Sequence, residues 1–361
     1  MRGGFLLGSA LLAGCGDVCD RAGVICTVAG VGGTLGFNGD GEPALETWMY
    51  QPSALAVRPD DGQLVIDDFN NMRIRVLDEV GSLTTIVGNG VHSYATVGLP
   101  ALESALENPI DIAYAPDGTL YIAELHGMRV LKVDSDGIME PVCGVVGEPG
   151  FNGDDQTATA TWFNNVSSVT VDEAGLLYTA DTANHLLRTV DAEGVVRTVA
   201  GEPLVFGFVD GAGGAARFNL PQRVRYHDGS VWVADTFNHA VRRYDVETGE
   251  VVTIAGTGVA GFSGDGGPGT SAQLNMPYGV QPDDEGGAWI ADSMNHRVRY
   301  VDAGGEISTV VGDGQRAFGG DGGFAVEAQL NVPSDVLPDG QGGFWLTDMF
   351  NGAVRHVAGG R

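Results

Sequence analysis

The stretch "ADSMNHRVRYVD" (Ala291–Asp302) recurs along the chain and decides the fold. Near-copies are "DDFNNMRIRVLD" from Asp67, "ADTANHLLRTVD" from Ala180 and "ADTFNHAVRRYD" from Ala234. In the aligned copies an acidic residue ends an apolar run and recurs every 54–57 residues. These acidic residues are Asp68, Glu124, Asp181, Asp235, Asp292 and Asp348. Although 361 residues would suit two or three domains by length alone, six units of near-constant size predict a single repeat architecture.

The pattern inside each unit predicts four strands. In the unit around Asp292, the runs "AWIAD" (288–292) and "RVRYVD" (297–302) alternate apolar and polar residues, and "ISTVVG" (307–312) is rich in β-branched residues. A fourth apolar run, "PYGVQP" (277–282), precedes them, and the joining turns are of the Asp/Gly type that hairpins use. Four-stranded antiparallel sheets repeated around an axis form a β-propeller.

The two ends of the chain predict how the ring closes. The sixth unit stops after its third strand, Gly352–Val357, whereas Val24–Gly30 ("VICTVAG") matches the outermost strands of other units. We therefore expect the N-terminal strand to complete the last blade, because that pairing removes an open sheet edge. The sequence predicts an all-β, six-bladed propeller of 24 strands that occupies residues 24–361 as one domain.

The triplet after the second strand identifies a family resemblance. It reads Asn184-His185-Leu186 in one unit, with the variants Asn-His-Ala at 238–240 and Asn-His-Arg at 295–297, and the loops 261–277 and 317–333 are also similar to bacterial members. The chain thus resembles the NHL-repeat propellers. The resemblance implies a binding or scaffold module for an unidentified protein or small ligand at the mouth of the central channel. The alternative is a propeller hydrolase or lyase with a metal at that mouth, since the family includes a peptide-amidating lyase; we favour the non-catalytic role.

The first residues resemble an export signal. An apolar run, Phe5–Ala13, ends in Leu12-Ala13-Gly14-Cys15, which is similar to a bacterial lipobox. We expect a signal peptide over residues 1–14, lipidation of Cys15, a tether over 15–23, and anchoring to the cell envelope. Gly16 after Cys15 favours the outer membrane, and an ordinary secretory signal is the alternative.

Charge and cysteine content limit the partners. The chain carries 47 acidic and 19 basic side chains, a net charge of −28, which argues against binding to nucleic acid or to anionic lipid through a basic patch. We expect a monomer that meets the membrane only through its lipid anchor. In an exported protein Cys19 and Cys26 could close a small loop, which would leave Cys143 as a buried thiol.

The repeated polar residues are interpreted as structural. The recurrent Asp is expected to accept backbone N–H groups of the turn that follows it. His185, His239 and His296 occupy equivalent positions in different blades, too far apart to share one metal ion. Phenylalanines of the glycine-rich loops are expected to fill the space between blades, at Phe37, Phe151, Phe262 and Phe318. No cofactor is predicted; Ca²⁺ on these loops, or Zn²⁺, is the alternative.

Positions at which the repeats differ are the candidates for a site. The residue two after the proline that begins each innermost strand varies most: it is Ala54, Asp111, Ser168, Arg223, Gly279 and Asp335. We predict a ligand site at the channel mouth on the face formed by the inter-blade loops, hereafter the loop face. Its candidate residues are Asp111, Arg223, Asp335, Tyr278, Gln222 and His126. Arg223 would suit a carboxylate or phosphate group, and the alternative is that the charged residues only pair with one another across the channel. The second blade (His92, Tyr94) and the fourth (Arg217, Arg225, His227) depart furthest from the repeat.

Overall fold

The computed structural model describes residues 18–359, so the predicted signal peptide and Cys15 lie outside the described residues. These residues form six antiparallel sheets arranged as the blades of a propeller. The innermost strand of each blade contacts that of the next, and the sixth contacts the first, which closes the ring. No helix within residues 18–359 is long and apolar enough to cross a bilayer.

Each blade has four main strands, from the innermost to the outermost. Blade 1 contains β3 (Pro52–Val57), β4 (Leu64–Asp68), β5 (Arg73–Leu77) and β6 (Ser82–Val87); blade 2 contains β7 (Pro109–Tyr114), β8 (Leu120–Glu124), β9 (Arg129–Val133) and β10 (Met139–Cys143); blade 3 contains β12 (Val166–Val171), β13 (Leu177–Asp181), β14 (Leu186–Val190) and β15 (Val195–Ala200). Blade 4 contains β17 (Arg223–His227), β18 (Ser230–Asp235), β19 (Ala240–Asp245) and β20 (Glu250–Ala255); blade 5 contains β22 (Gly279–Pro282), β23 (Ala288–Asp292), β24 (Arg297–Val301) and β25 (Glu306–Val311); blade 6 contains β26 (Pro333–Pro338), β27 (Phe344–Asp348), β28 (Ala353–Val357) and β1 (Ile25–Ala29).

The strand count exceeds the predicted 24, because four inter-blade loops add a two-residue strand to the outer edge of a blade. These are β2 (Glu42–Pro43), β11 (Gln156–Thr157), β16 (Gly211–Ala212) and β21 (Gly267–Pro268), paired with β6, β15, β20 and β25. Each covers part of an otherwise open edge.

Single-turn 3₁₀ helices join the strands on the loop face. Five follow the second strand, at Phe69–Asn71, Thr182–Asn184, Thr236–Asn238, Ser293–Asn295 and Met349–Asn351. Five lie in inter-blade loops, at Ala44–Glu46, Ala101–Glu103, Ala158–Ala160, Gly269–Ser271 and Ala325–Glu327. The residue after each of the first five is left-handed; His239, for example, has φ 50°, which is the conformation a tight turn requires.

The predicted closure is confirmed. Strand β1 pairs antiparallel with β28, with Ile25 opposite Val357. A disulfide joins Cys19 to Cys26 and fixes the segment that leads into β1, while Cys143 is a free, buried thiol. The hydrophobic core lies between neighbouring blades rather than within one; Trp232 of blade 4, for instance, clusters with Ile290 of blade 5.

The recurrent aspartate is the centre of a buried contact, here called the blade latch. In blade 4, Asp235 Oδ2 accepts hydrogen bonds from Asn238 Nδ2 and Arg242 Nη1, both at 2.8 Å, and Oδ1 accepts from the backbone N–H of Asn219 at 2.7 Å. Arg242 also pairs with Asp210 of the preceding loop at 2.5 Å. The expectation that the carboxylate accepts backbone groups of the following turn is therefore wrong. It binds the asparagine side chain of that turn and a backbone N–H from the loop before the blade.

Five blades carry this latch. The latch arginines, fully buried, are Arg75, Arg188, Arg242, Arg299 and Arg355. Blade 2 replaces it with a buried Glu124–Arg129 pair at 2.6 Å. Burial raises the pKa of four latch aspartates (Asp68, Asp181, Asp235, Asp292) to about 6 and that of Asp348 to about 7, although the arginines and asparagines oppose the shift.

The glycine-rich loops contribute to the same contact. Phe262 lies 4.9 Å from the guanidinium of Arg299, and Phe318 lies 5.2 Å from that of Arg355. The prediction that these rings fill the space between blades is wrong, because they cover the latch arginines as cation–π partners and stay 37–43% exposed.

The repeated histidines link neighbouring blades. Nδ1 of His185 accepts a hydrogen bond from the backbone N–H of Leu220 in the next blade at 3.1 Å, and His239 accepts one from Met276 at the same distance. His296 repeats the contact with Val332 at 3.2 Å. This is a structural role in each case. Within residues 18–359, no three His, Cys, Asp or Glu side chains are grouped to hold a metal.

Candidate functional site

Four charged residues meet on the propeller axis and are here called the axial cluster: Asp111 on β7, Arg223 and Arg225 on β17, and Asp335 on β26. Arg225 binds both oxygens of Asp111, at 2.9 and 3.0 Å, and also donates to Asp335 Oδ2 at 3.1 Å. Arg223 Nη1 donates to Asp111 Oδ1. Because β-strand side chains alternate, Arg223 and Arg225 project to the same side of β17, toward the axis.

The axial cluster connects five of the six blades. Asp111 accepts hydrogen bonds from Ser168 Oγ and from the backbone N–H of Val169 in blade 3. Asp335 accepts from the backbone N–H of Leu55 in blade 1 at 3.0 Å, and Arg223 donates to the carbonyl of Ser53 at 2.8 Å. All four charged residues are at most 9% exposed. The cluster therefore closes the channel near the start of the innermost strands, on the side of the loop face.

The electrostatics of the axial cluster are balanced. Burial alone would raise the pKa of Asp111, but the guanidiniums of Arg223 and Arg225 hold it below its ordinary value. Burial would lower the pKa of Arg225, but the carboxylates of Asp111 and Asp335 raise it instead. Two cations and two anions thus neutralise one another.

A fifth acidic residue, Asp67, borders the cluster and was missed in the sequence. It is fully buried, and its Oδ2 accepts a hydrogen bond from Ser53 Oγ at 2.9 Å. Burial raises its pKa well above the ordinary value, and the charges of Asp111 and Asp68 add to the effect. The signal was visible, because blade 1 reads Asp67-Asp68 where blades 3, 4 and 5 have alanine before the latch aspartate.

The predicted site residues separate into two groups. Asp111, Arg223 and Asp335 come together, as predicted, but they are buried and paired with one another and with Arg225. Gln222 and Tyr278 are half-buried just before their strands and lie outside the hydrogen bonds of the cluster.

His126 is exposed in the turn of blade 2, and its Nδ1 lies 2.8 Å from Asn108 Oδ1. His92 Nε2 contacts the same oxygen at 3.0 Å, whereas Tyr94 is an exposed side chain of the same loop. A metal at the channel mouth would require Asp111, Asp335 and His126 to converge. The structure instead pairs both aspartates with arginine and places the histidine in a separate contact.

A cavity of about 390 Å³ opens on the axis at the opposite end. We call that end the turn face, because it is formed by the turns between the first and second strands of the blades. Every blade contributes the end of its innermost strand to the wall. The six representative residues, in blade order, are Val57, Tyr114, Thr170, Tyr226, Gln281 and Leu337.

The axial cluster forms the base of this axial cavity, since Arg225 is one of the lining residues. Tyr226 is held in place by stacking on Tyr178, with ring centroids 5.8 Å apart, and by the hydrogen bond from its backbone N–H to Thr170 Oγ1. Burial raises the pKa of Tyr114 to about 12, which keeps its hydroxyl a neutral donor. The open end of the channel is thus opposite to the end at which the sequence placed the ligand.

A second cavity of about 380 Å³ adjoins the axial one between blades 5 and 6. The two share His227 and Gln281 in their walls. Asp283 and Asp284 line the second cavity, as does Trp289. Together the two cavities form a trough that runs from the axis outward across the turn face.

Carboxylates surround the mouth of the trough. The acidic residues of the six turns are Asp60, Asp61, Asp117, Asp172, Glu173, Asp228, Asp283, Asp284, Glu285 and Asp339. The same turns carry two basic side chains: Arg58 is paired with Asp61 at 2.5 Å, and His227 Nε2 lies 3.6 Å from Asp284. The turn face is therefore strongly negative.

Comparison with known proteins supports the repeat assignment. No protein-family profile matches the chain. SUPPRESSOR OF QUENCHING 1, chloroplastic, from Arabidopsis thaliana is 30% identical over 285 residues, which cover 75% of this chain and 27% of that protein. Human NHL repeat-containing protein 2 is 29% identical over 225 residues, 53% of this chain and 31% of that protein. The chain spans less than a third of the length of these relatives.

Solved structures share the fold. An auxiliary nutrient binding protein from Bacteroides thetaiotaomicron superposes with a TM-score of 0.68 at 14% identity, covering 92% of this chain and 75% of that one. A gluconolactonase from Xanthomonas campestris superposes with a TM-score of 0.56 at 13% identity, covering 97% of this chain and 92% of the other. At these identities the likeness establishes a common propeller architecture.

Proposed function

Because this chain is an NHL-type six-bladed β-propeller, we propose that it is a non-catalytic binding module that holds a small ligand in the axial cavity at its turn face. The observation that carries the proposal is the cavity itself, to which all six blades contribute and whose base is the axial cluster. Propellers of this kind act as rigid platforms, and their function depends on the site they carry rather than on the fold.

The size and lining of the axial cavity support a small-molecule ligand. Its volume of about 390 Å³ lies within the range of about 300–1,000 Å³ that is usual for ligand pockets. Aliphatic and aromatic side chains form most of the wall, and a few polar groups, from Thr170, Gln281 and Glu173, point to specific recognition. The fold is also that of an auxiliary nutrient binding protein from Bacteroides thetaiotaomicron.

The base of the cavity favours binding over chemistry. Arg225 uses both terminal nitrogens on carboxylates and on the carbonyl of Val224. A group held this tightly provides a rigid surface, and pre-organised surfaces reduce the entropic cost of binding.

A pair of matched variants tests the location of the site. A metabolite library is screened by thermal shift on the wild-type chain, Gln281→Trp and Gln222→Trp. Gln281 lines the axial cavity, whereas Gln222 lies at the loop-face end of the neighbouring blade; both are half-buried. We expect a ligand that stabilises the wild type and Gln222→Trp but not Gln281→Trp, because the indole fills the cavity. The reverse pattern would place the site at the loop face, and the absence of any stabilising ligand would contradict the proposal.

We also propose that the propeller is exported and anchored to the cell envelope through a lipid on Cys15. The disulfide between Cys19 and Cys26 supports this, because such bonds persist in oxidising compartments. Metabolic labelling with a fatty-acid analogue should mark the wild type and not Cys15→Ser, and the variant should leave the membrane fraction. Equal fractionation of the two proteins would contradict anchoring.

A further inference from the structure

We propose that the ligand of the axial cavity is an organic polycation, a linear polyamine, that lies along the trough from the axis toward blades 5 and 6. This inference rests on the proposed function and adds the chemical class of the ligand. It is carried by the shape of the trough, the charges along it and the neutralisation of its one arginine.

The trough is longer than a single pocket. Two cavities of about 390 and 380 Å³ share His227 and Gln281, so a ligand seated on the axis can continue outward without leaving the wall. A linear molecule fits this shape better than a compact one, and each added segment buries more surface.

The cation at the base does not attract an anion. Arg225 is bound by both oxygens of Asp111 and by Asp335, and the axial cluster as a whole is neutral. The walls beyond it carry Asp172 and Glu173 on the axial side and Asp284 on the outer side. An anionic ligand would meet unscreened like charge, whereas an ammonium group would meet carboxylates at both ends of the trough.

Aromatic faces supply the second requirement for binding an organic cation. Tyr114 and Tyr226 stand in the wall of the axial cavity, and tyrosine rings attract ammonium groups through their π-electrons. The aliphatic wall formed by Val57, Ile112 and Leu337 suits the methylene segments between charges. A bare metal ion would use none of these apolar surfaces.

The carboxylates of the trough differ in how they are held. Asp172 Oδ1 accepts two backbone N–H groups of its own turn, at 2.9 Å each, and so stays fixed at the rim. The side chain of Asp284 is 99% exposed and lies 3.6 Å from His227. A fixed acid near the axis and an adjustable one farther out can accommodate spaced ammonium groups.

The test titrates spermidine into the full-length chain by calorimetry. The wild type is compared with the double variant Glu173→Gln/Asp284→Asn, which removes two carboxylates of the trough. The control, Glu79→Gln/Asp136→Asn, makes the same charge change in exposed turns of the same face that do not line either cavity. We expect saturable binding that weakens at least about tenfold in the trough variant, less than about twofold in the control, and with rising salt.

Three outcomes would overturn the inference. Equal weakening in both variants would mean diffuse attraction to an acidic face. Calcium chloride that displaces spermidine and stabilises through the same carboxylates would assign the site to a divalent ion. If spermidine does not bind while another ligand is lost in Gln281→Trp, the polyamine is wrong and the proposed function stands; if Gln281→Trp affects no ligand, the proposed function itself fails.

Discussion

Single residues on the axis determine which end of the channel is open. Asp111 is the residue on which the axial cluster depends, because it receives both arginines of β17 and two groups of blade 3. A buried ion pair contributes little net stability against an apolar replacement, but removal of one partner leaves an uncompensated charge, which costs about 3–5 kcal/mol.

We therefore predict that Asp111→Ala lowers the free energy of unfolding by about 3–5 kcal/mol, since Arg223 and Arg225 lose their shared carboxylate. Urea denaturation of the variant measures the loss. Asp284→Ala, which removes an exposed carboxylate, should change stability by no more than about 0.5 kcal/mol. Similar small effects for both variants would show that the axial cluster is not a structural element.

The sequence located three residues of the cluster but not their pairing. Asp111, Arg223 and Asp335 were recognised because the repeats differ there. Their mutual distance was not predictable, since they lie 112 positions apart in the chain and meet only when the ring closes. Arg225 had a signal of its own, because alternation along a strand places it on the same side as Arg223.

At the scale of structural elements, the blade latch replaces much of the core that a small four-stranded sheet lacks. It joins the second strand, the third strand and the preceding loop through one buried arginine. In blade 4 the arginine contacts Asp235, Asp210 and the carbonyl of Arg217.

Removal of one latch arginine should be costly. We expect Arg242→Met to destabilise the chain by about 3–5 kcal/mol, because Asp235 is left buried without its cation. Arg243→Met is the matched control; this neighbour is half-buried and lies over the Trp232 ring, so its loss should cost about 1 kcal/mol or less. Equal losses in denaturant midpoint would contradict the latch.

The closing strand gives a second prediction at this scale. Reduction of Cys19–Cys26 should lower stability by about 2 kcal/mol, because the bond closes a short loop, and should speed amide exchange in β1 and β28 first. Exchange in β20, the outer strand of blade 4, serves as the reference. Uniform acceleration across blades would mean that the disulfide does not act through the closing strand.

For the whole molecule, the latch aspartates make stability depend on pH in an unusual direction. A carboxyl group whose pKa is raised in the fold binds its proton more tightly there than in the unfolded chain. This contribution is fully present below the ordinary pKa near 3.8 and disappears as the pH rises through about 6, or about 7 for Asp348. Protonation also reduces the net charge of −28, which acts in the same direction.

We therefore expect the midpoint of thermal unfolding to be higher at pH 5 than at pH 7.5. Asp235→Asn should reduce this difference, because one of the five titrating groups is removed. Below about pH 4 the trend should reverse, since Asp111 and Asp339, whose pKa values are lowered, become protonated and lose their partners. Stability that falls steadily from pH 7.5 to 5 would contradict the assignment.

The repeat in the sequence was sufficient to predict the propeller, the number of blades and the way in which β1 closes the ring, because each follows from local patterns. The open end of the channel was not predictable. It depends on which side chains meet across the axis and on the cavity that remains beneath them, and neither is a property of one repeat.

The central claim is that the channel is closed toward the loop face and open toward the turn face, and thiol labelling tests it most directly. In a Cys15→Ser background, Cys19 and Cys26 are joined and Cys143 is buried, so introduced thiols can be followed singly. We predict that Gln281→Cys, in the wall of the axial cavity, reacts rapidly with a methanethiosulfonate reagent, and that Ser53→Cys, buried beside the axial cluster, reacts only as fast as the chain unfolds. Rapid labelling at Ser53→Cys with protection at Gln281→Cys would contradict the account.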